Sequence, residues 1–339
     1  MEYELELMGT ERVRWLDVCR GISILLVIMV HTYPQGGIVN SYIQLFIMPL
    51  FFCLSGYTFK QKSLAEEAKI DIKRIIIPYL IISIIFITYY LLKKNTLDEF
   101  IWSLKRKPFT IIMGASGAIN NSEGAPISFF DGVGRAWFLP TLFSLKIIFT
   151  VINRVDDRIK FGIVVLSSII GFFSPYLPLN FDIALTMLPF FFLGYIHFFD
   201  KNVVFNNIFC GEFILTIIYA GVTVLCYWYG ARLRVDCRVY SRVWLVIIAS
   251  IAGCGMIISL SKQIQSLRII KLISFIGENS MSIYLIHCID DVVQWNNFTF
   301  LNYIECPVFV IVLIRMIADC SVAFLGGLCL NKHQKNNVD

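Results

Sequence analysis

Ten windows of membrane length along the chain are apolar enough to cross a bilayer, at approximately 15–33, 41–59, 75–92, 136–152, 161–178, 183–199, 208–229, 243–260, 270–292 and 307–330. No other pattern restricts the fold as much. In hydrocarbon every backbone N–H and C=O must be satisfied within the protein, so segments of this kind fold as helices packed into a bundle. With 57% of its 339 residues hydrophobic and only 16% charged, and a mean hydropathy of +0.72, the chain lies outside the range of soluble domains. The expected fold is all-α, a polytopic membrane bundle of about ten transmembrane helices forming one domain over residues 1–339, with no appended soluble domain. The first apolar segment is read as a retained helix, because further spans follow it at once.

Placing the amino terminus inside puts seventeen of the 29 Lys and Arg residues on the cytoplasmic face and ten on the other. Basic residues favour the cytoplasmic side, so both termini are expected there. The ten cysteines lie mostly inside apolar runs and form no C-x-x-C pair; they read as small buried hydrophobes. No metal and no nucleic-acid partner is expected, and the sequence leaves the oligomeric state open.

The chemistry centres on the first span. Arg20 and His31 are eleven positions apart, about three helical turns, which puts both side chains on one face roughly 16 Å apart along the axis. Ionisable groups at membrane depth are costly and normally face protein or a watery cavity, so the pair marks a candidate functional site. At that separation they cannot act on one atom. They suit the two ends of a long ligand, or two steps of one reaction. Asp17, one turn before Arg20, is placed to orient it.

Several other stretches carry polar groups at membrane depth or next to it. The segment LDEFIWSLKRKPFTIIM in the loop 93–135 reads as an amphipathic helix on the membrane surface, with Trp102 and Phe109 as anchors and Lys105 to Lys107 turned toward phosphates. Arg234, Arg238 and Arg242 recur at i, i+4 and, if helical, form a basic stripe able to hold an anionic sugar or a lipid-linked phosphate. Arg315 and Asp319, also at i, i+4, are expected to pair inside the bilayer. The ninth span is interrupted at Gly277-Glu278-Asn279-Ser280; a helix break there is best explained if it lines a cavity. His287 follows two turns later.

Taken together, RWLDVCRGISILLVIMVH with its Arg20-x10-His31, MPLFFCLSGYTF around Ser55 and Gly56, KRIIIPYL around Arg74, AWFLPTLF around Trp137, and GENSMSIYLIH ending at His287 resemble the membrane-bound acyltransferase family 3, the polysaccharide O-acetyltransferase type of bacteria. The resemblance implies a bundle of about ten helices that takes an acyl group, usually acetyl, from acyl-CoA and delivers it to a sugar hydroxyl. It makes Arg20 and His31 the catalytic pair of the first helix, with Asp17 beside them. It makes Arg74 the second arginine of a basic R-x-x-R motif, whose first position here is Asp71, leaving Lys69 and Lys73 as nearby cations. Lys73 and Arg74 are therefore the expected phosphate-binding residues for acetyl-CoA. Ser55, Gly56, Trp137, Glu278, Asn279, Ser280 and His287 are expected to support the site. Independently of the resemblance, an elongated ligand with an anionic nucleotide and a thin arm suits cations at the cytoplasmic mouth and a deeper imidazole. That imidazole could act as general base or as acyl-accepting nucleophile.

The reading that follows is a multi-pass O-acetyltransferase of the bacterial inner membrane, with acyl-CoA, a glycan or lipid-linked glycan acceptor, and membrane lipids as partners. A transporter or flippase, or a polymerase of lipid-linked polysaccharide, is the alternative. A transporter calls for two-fold internal similarity, which the sequence does not show.

Overall fold

A computed structural model describes residues 13–32, 37–92, 96–116, 133–200, 208–293 and 308–336. It is a bundle of helices with one two-stranded hairpin among the described residues. The helices are α1 (Arg14–Thr32), α2 (Ile38–Gln44), α3 (Ile47–Tyr57), α4 (Leu64–Asp71), α5 (Ile77–Leu92), α6 (Leu97–Met113), α7 (Phe138–Ile152), α8 (Asp157–Phe173), α9 (Phe181–Tyr195) and α10 (Ile208–Trp228). After the hairpin of β1 (Arg232–Arg234) and β2 (Val239–Ser241) come α11 (Val243–Ile264), α12 (Lys271–Glu278), α13 (Ser280–Val293) and α14 (Val308–Asn336).

Helix covers most of the described length of each expected span, with non-helical residues at 45–46, 58–59, 174–177, 196–197, 229 and 279. Among the described residues, six helical segments are long and apolar enough to cross a membrane, or seven if α12 and α13, bent by 71° at Asn279, form one broken span. Two of the others are short for local reasons. A π turn at Ile72–Ile76 leaves α5 with 16 residues, and α8 has 17. The chain is a multi-pass membrane protein with an inside-out outer surface: Phe173 (79% exposed), Leu225 (58%) and Trp228 (82%) project from α8 and α10, as a lipid-facing surface demands. Ser23 donates to the Cys19 carbonyl (2.7 Å) and Thr141 to that of Trp137 (2.8 Å), so these two hydroxyls add no unmet donor to the apolar interior.

The core is centred on α1, which packs against α3, α11, α12, α13 and α14. Glycines set the closest approaches. A Cβ on Gly277 would lie 1.7 Å from the Asp17 carbonyl oxygen, and one on Gly21 would lie 2.1 Å from that of Ile273. α1 and α12 therefore cross with backbones in contact, the small-residue packing that membrane helices use. The α3–α9 crossing repeats the device, Gly56 against the Phe191 carbonyl and Gly194 against that of Cys53, each at 1.9 Å from the imagined Cβ. The seven cysteines among the described side chains are free and buried.

Three sequence expectations need correction. The arginines at 234, 238 and 242 are not on a helix: Arg234 ends β1, Arg238 takes a left-handed φ of 57° in the turn, and Arg242 precedes α11. Arg238 binds Asp182 (3.3 Å) and the carbonyls of Gly171 (3.1 Å) and Ser174 (2.7 Å), so it fastens the end of α8. The segment 97–113 is indeed the helix α6, started by Thr96, which accepts from the Glu99 amide (3.3 Å) as in a capping box. Lys107, however, is 2% exposed and points into the protein, because α6 packs on α5 and on the 3-10 turn before α9. Phe109 is exposed, as an anchor must be, and the Trp102 side chain lies outside the described residues. The third correction concerns Arg315, whose partner is described next.

Candidate active site

His31 lies one residue before the end of α1. Asn40 of α2 holds this end of the helix, donating from Nδ2 to the Val30 carbonyl (2.6 Å). The His31 ring is exposed to two cavities that meet at it. Its neighbour across the gap is His287 of α13, 0% exposed, with ring centroids 5.4 Å apart.

The first cavity, of ≈ 370 Å³, opens toward the β1–β2 hairpin and is lined by polar groups including Asn40, Gln44, Ser116, Arg232, Arg234 and Asp236. Arg234 and Asp236 pair across its rim at 3.1 Å. The second, of ≈ 200 Å³, follows the α1 face that carries Arg20, Val27 and His31, and its other walls are largely apolar: Phe51, Leu54, Phe138, Leu142 and Met281 among them. Arg20 and His31 therefore share one face and one cavity, as their spacing predicts. Val27, His31, Met48, Arg135 and Trp137 line both cavities and form the neck between them.

Behind the neck is a buried polar network. Arg135 donates from Nη1 to Nε2 of His287 (3.0 Å) and to the His287 carbonyl (3.3 Å). A guanidinium can only donate, so Nε2 accepts and the ring proton is on Nδ1, which donates to Asp319 Oδ2 (2.9 Å). Tyr284 donates to the Arg135 carbonyl (2.6 Å). Arg315 pairs with Asp290 (2.5 Å) and reaches the His31 carbonyl and Thr32 Oγ1, each at 3.3 Å. Instead of the expected Arg315–Asp319 pair within α14, each residue bonds a different group on α13: the rotation of α14 aims Arg315 at Asp290 and Asp319 at His287. His287, Asp290 and Asp319 could converge on a cation, with ligand atoms within 4.8 Å of one another. Two guanidinium groups already touch them and supply positive charge.

The remaining expected residues fall in different places. Asp17 is 3% exposed and lies 3.6 Å from Arg20, which also donates to Thr58 (3.5 Å). Ser55 lines the narrower cavity but donates its own proton to the Phe51 carbonyl (2.8 Å), and Gly56 is a packing glycine. Trp137 is at the neck, and Ser280 lines the narrower cavity at the α12–α13 bend. Asn279 donates to the Phe275 carbonyl (2.9 Å) and Glu278 is exposed; neither lines either of these two cavities. Lys73 and Arg74 are exposed on the π turn and also line neither. Asp71, at the first position of the basic motif, binds Lys146 (2.5 Å), which also binds Glu67 (2.7 Å). Burial and the neighbouring Glu67 carboxylate hold Asp71 above the ordinary carboxyl range despite Lys146; burial also pushes Glu67 up, but Lys146 and Lys62 outweigh it and leave Glu67 below.

Sequence reasoning missed Arg135 and gave Asp319 the wrong partner. A signal for Arg135 was present in Gly134-Arg135-Ala136-Trp137: a cation at the very start of an apolar span, two residues before a tryptophan. Nothing local named its partner, which lies 152 residues away.

A family model described as an acyltransferase domain matches residues 13–325. No curated protein and no solved structure matches.

Proposed function

Because the chain belongs to the membrane-bound acyltransferase family 3, whose model spans nearly its whole length, we propose that it transfers an acetyl group from acetyl-CoA to a sugar hydroxyl of a cell-surface polysaccharide. O-antigen or capsule, or a lipid-linked precursor of either, is the acceptor class, and the bacterial inner membrane is the place of action. The single observation that carries this reading is the position of His31 where a narrow, mostly apolar cavity meets a wider polar one.

The narrow cavity suits a thin acyl-bearing arm. At ≈ 200 Å³ it is too small for a nucleotide, which stays outside it on cations of the cytoplasmic face, with Arg20, Lys73 and Arg74 as the candidates. The polar cavity, ≈ 370 Å³ with Trp137 as an aromatic wall, suits a sugar ring entering from the outer face. His31 takes the proton of the attacking hydroxyl as it forms the new C–O ester bond. It returns that proton to the sulfur as the thioester C–S bond breaks and CoA departs as its thiol. General-base catalysis of this kind is worth about 10²- to 10⁴-fold. Asp17 holds Arg20 in orientation at the other end of the same face.

The test is acetylation of the surface glycan, read by NMR and mass spectrometry, in cells carrying wild-type protein, His31→Ala or no protein. The expected outcome is loss of the acetyl ester with His31→Ala while the protein still inserts. Normal acetyl content would overturn the assignment.

A further inference from the structure

We infer that Arg135 is a catalytic residue of this acyl transfer, the group that stabilises negative charge on the thioester carbonyl oxygen; the inference rests on the reading of His31 just given. Three observations lead to it. Among the five residues lining both cavities, Arg135 and His31 alone have ionisable side chains. A carbonyl attacked by a hydroxyl under His31 must sit in that neck, and a guanidinium remains charged there at any working pH. Lastly, Arg135 is fixed before substrate arrives: Nη1 is held by the ring and the carbonyl of His287, and its own carbonyl by Tyr284.

A donor of this kind stabilises the transition state because it is already oriented when charge develops. As the hydroxyl oxygen bonds to the acyl carbon, the carbonyl π pair moves onto oxygen and Arg135 holds that oxygen. When the carbonyl re-forms, the C–S bond breaks and the sulfur receives the proton His31 took. No oxidant, reductant or further reactant is needed. His287 is then a positioning residue: its Nδ1–H is bound to Asp319, which leaves Nε2 as the acceptor that aims the guanidinium. This gives the buried His287–Asp319 pair a task although it opens to neither cavity among the described residues.

The experiment measures incorporation of radiolabelled acetyl-CoA into glycan in membrane vesicles from cells making the full chain as wild type, His31→Ala, Arg135→Gln or Arg135→Lys. For Arg135→Gln the rate at saturating acetyl-CoA is expected to fall about 10²- to 10³-fold, the loss typical of one oxyanion donor, with the KM for acetyl-CoA within about twofold of wild type. Arg135→Lys keeps the charge but not the fork geometry and is expected to lie between the two. A raised KM with an unchanged saturating rate would overturn the inference by making Arg135 a ground-state anion binder, and an unchanged rate would overturn it outright. If Arg135→Gln fails to accumulate in the membrane, Arg135→Lys decides by the same split between rate and KM. Failure of both to accumulate also overturns the inference, because Arg135 is then a determinant of folding. Label that does not depend on His31 in the wild-type background refutes the underlying reading instead, so the two failures are told apart.

Discussion

Arg315 offers a test of how the active-site neck is braced. It is 5% exposed, pairs with Asp290, itself 6% exposed, and reaches the carbonyl of His31 and the hydroxyl of Thr32. Arg315→Met keeps most of the side-chain volume and leaves the Asp290 carboxylate buried without its guanidinium. Breaking a buried pair from one side costs about 3–5 kcal/mol. In Arg315→Met with Asp290→Asn the uncompensated charge is gone. What remains is the loss of the hydrogen bonds from α14 to the end of α1, about 1–3 kcal/mol for two partners. The double variant is therefore expected to be more stable than the single one. Equilibrium unfolding in mixed micelles measures both, and the coupling follows from the cycle. Adding Asp319→Asn instead should give no such rescue, since Asp319 is bonded to His287. Rescue by Asp319→Asn and not by Asp290→Asn would refute the pairing and return Arg315 to the i, i+4 partner its spacing suggests.

Two further outcomes follow from packing and charge elsewhere. Gly277→Val places side-chain carbon against the Asp17 carbonyl, where even a Cβ would be 1.7 Å away, so α1 and α12 must separate; a loss of about 1–3 kcal/mol or more is expected, together with reduced acyl transfer, and wild-type unfolding stability would contradict the close crossing. Lys146→Met strips the cation from buried Asp71 and one of two from buried Glu67, which keeps Lys62 at 3.3 Å, so that burial and the Glu67 carboxylate raise Asp71 further above its unfolded value. A raised carboxyl contributes stability below its unfolded pKa and loses it as pH rises, so through Asp71 this variant is expected to unfold at lower temperature at about pH 8 than at about pH 5; thermal unfolding at the two pH values checks it, and the reverse order would count against the cluster.

The limits of sequence reading follow from which distances a one-dimensional pattern can report. Arg20 and His31 were legible because both lie on one helix, where spacing fixes the shared face, and the structure puts both on one cavity. Helix α6 was legible to its end residues, since capping, amphipathicity and the closing Gly114 (φ 74°) are local. Local spacing misled where tertiary contacts compete with it. The i, i+4 arginines 234, 238 and 242 fit a helix, yet cross-strand pairing of Arg232 with Ser241 and Arg234 with Val239 made a hairpin instead. Arg315 had an acid one turn away on its own helix and took another on α13, because helix rotation and not sequence separation decides which buried carboxylate a guanidinium meets. The same rule hid Arg135: its meaning depends on His287 and Asp319, each brought to the neck by a different helix. In a bundle of this kind, a buried charge read from sequence identifies a site, while the bundle itself chooses the partner. Of the charged residues at the neck, the ones whose partners sequence cannot name are therefore the first to substitute.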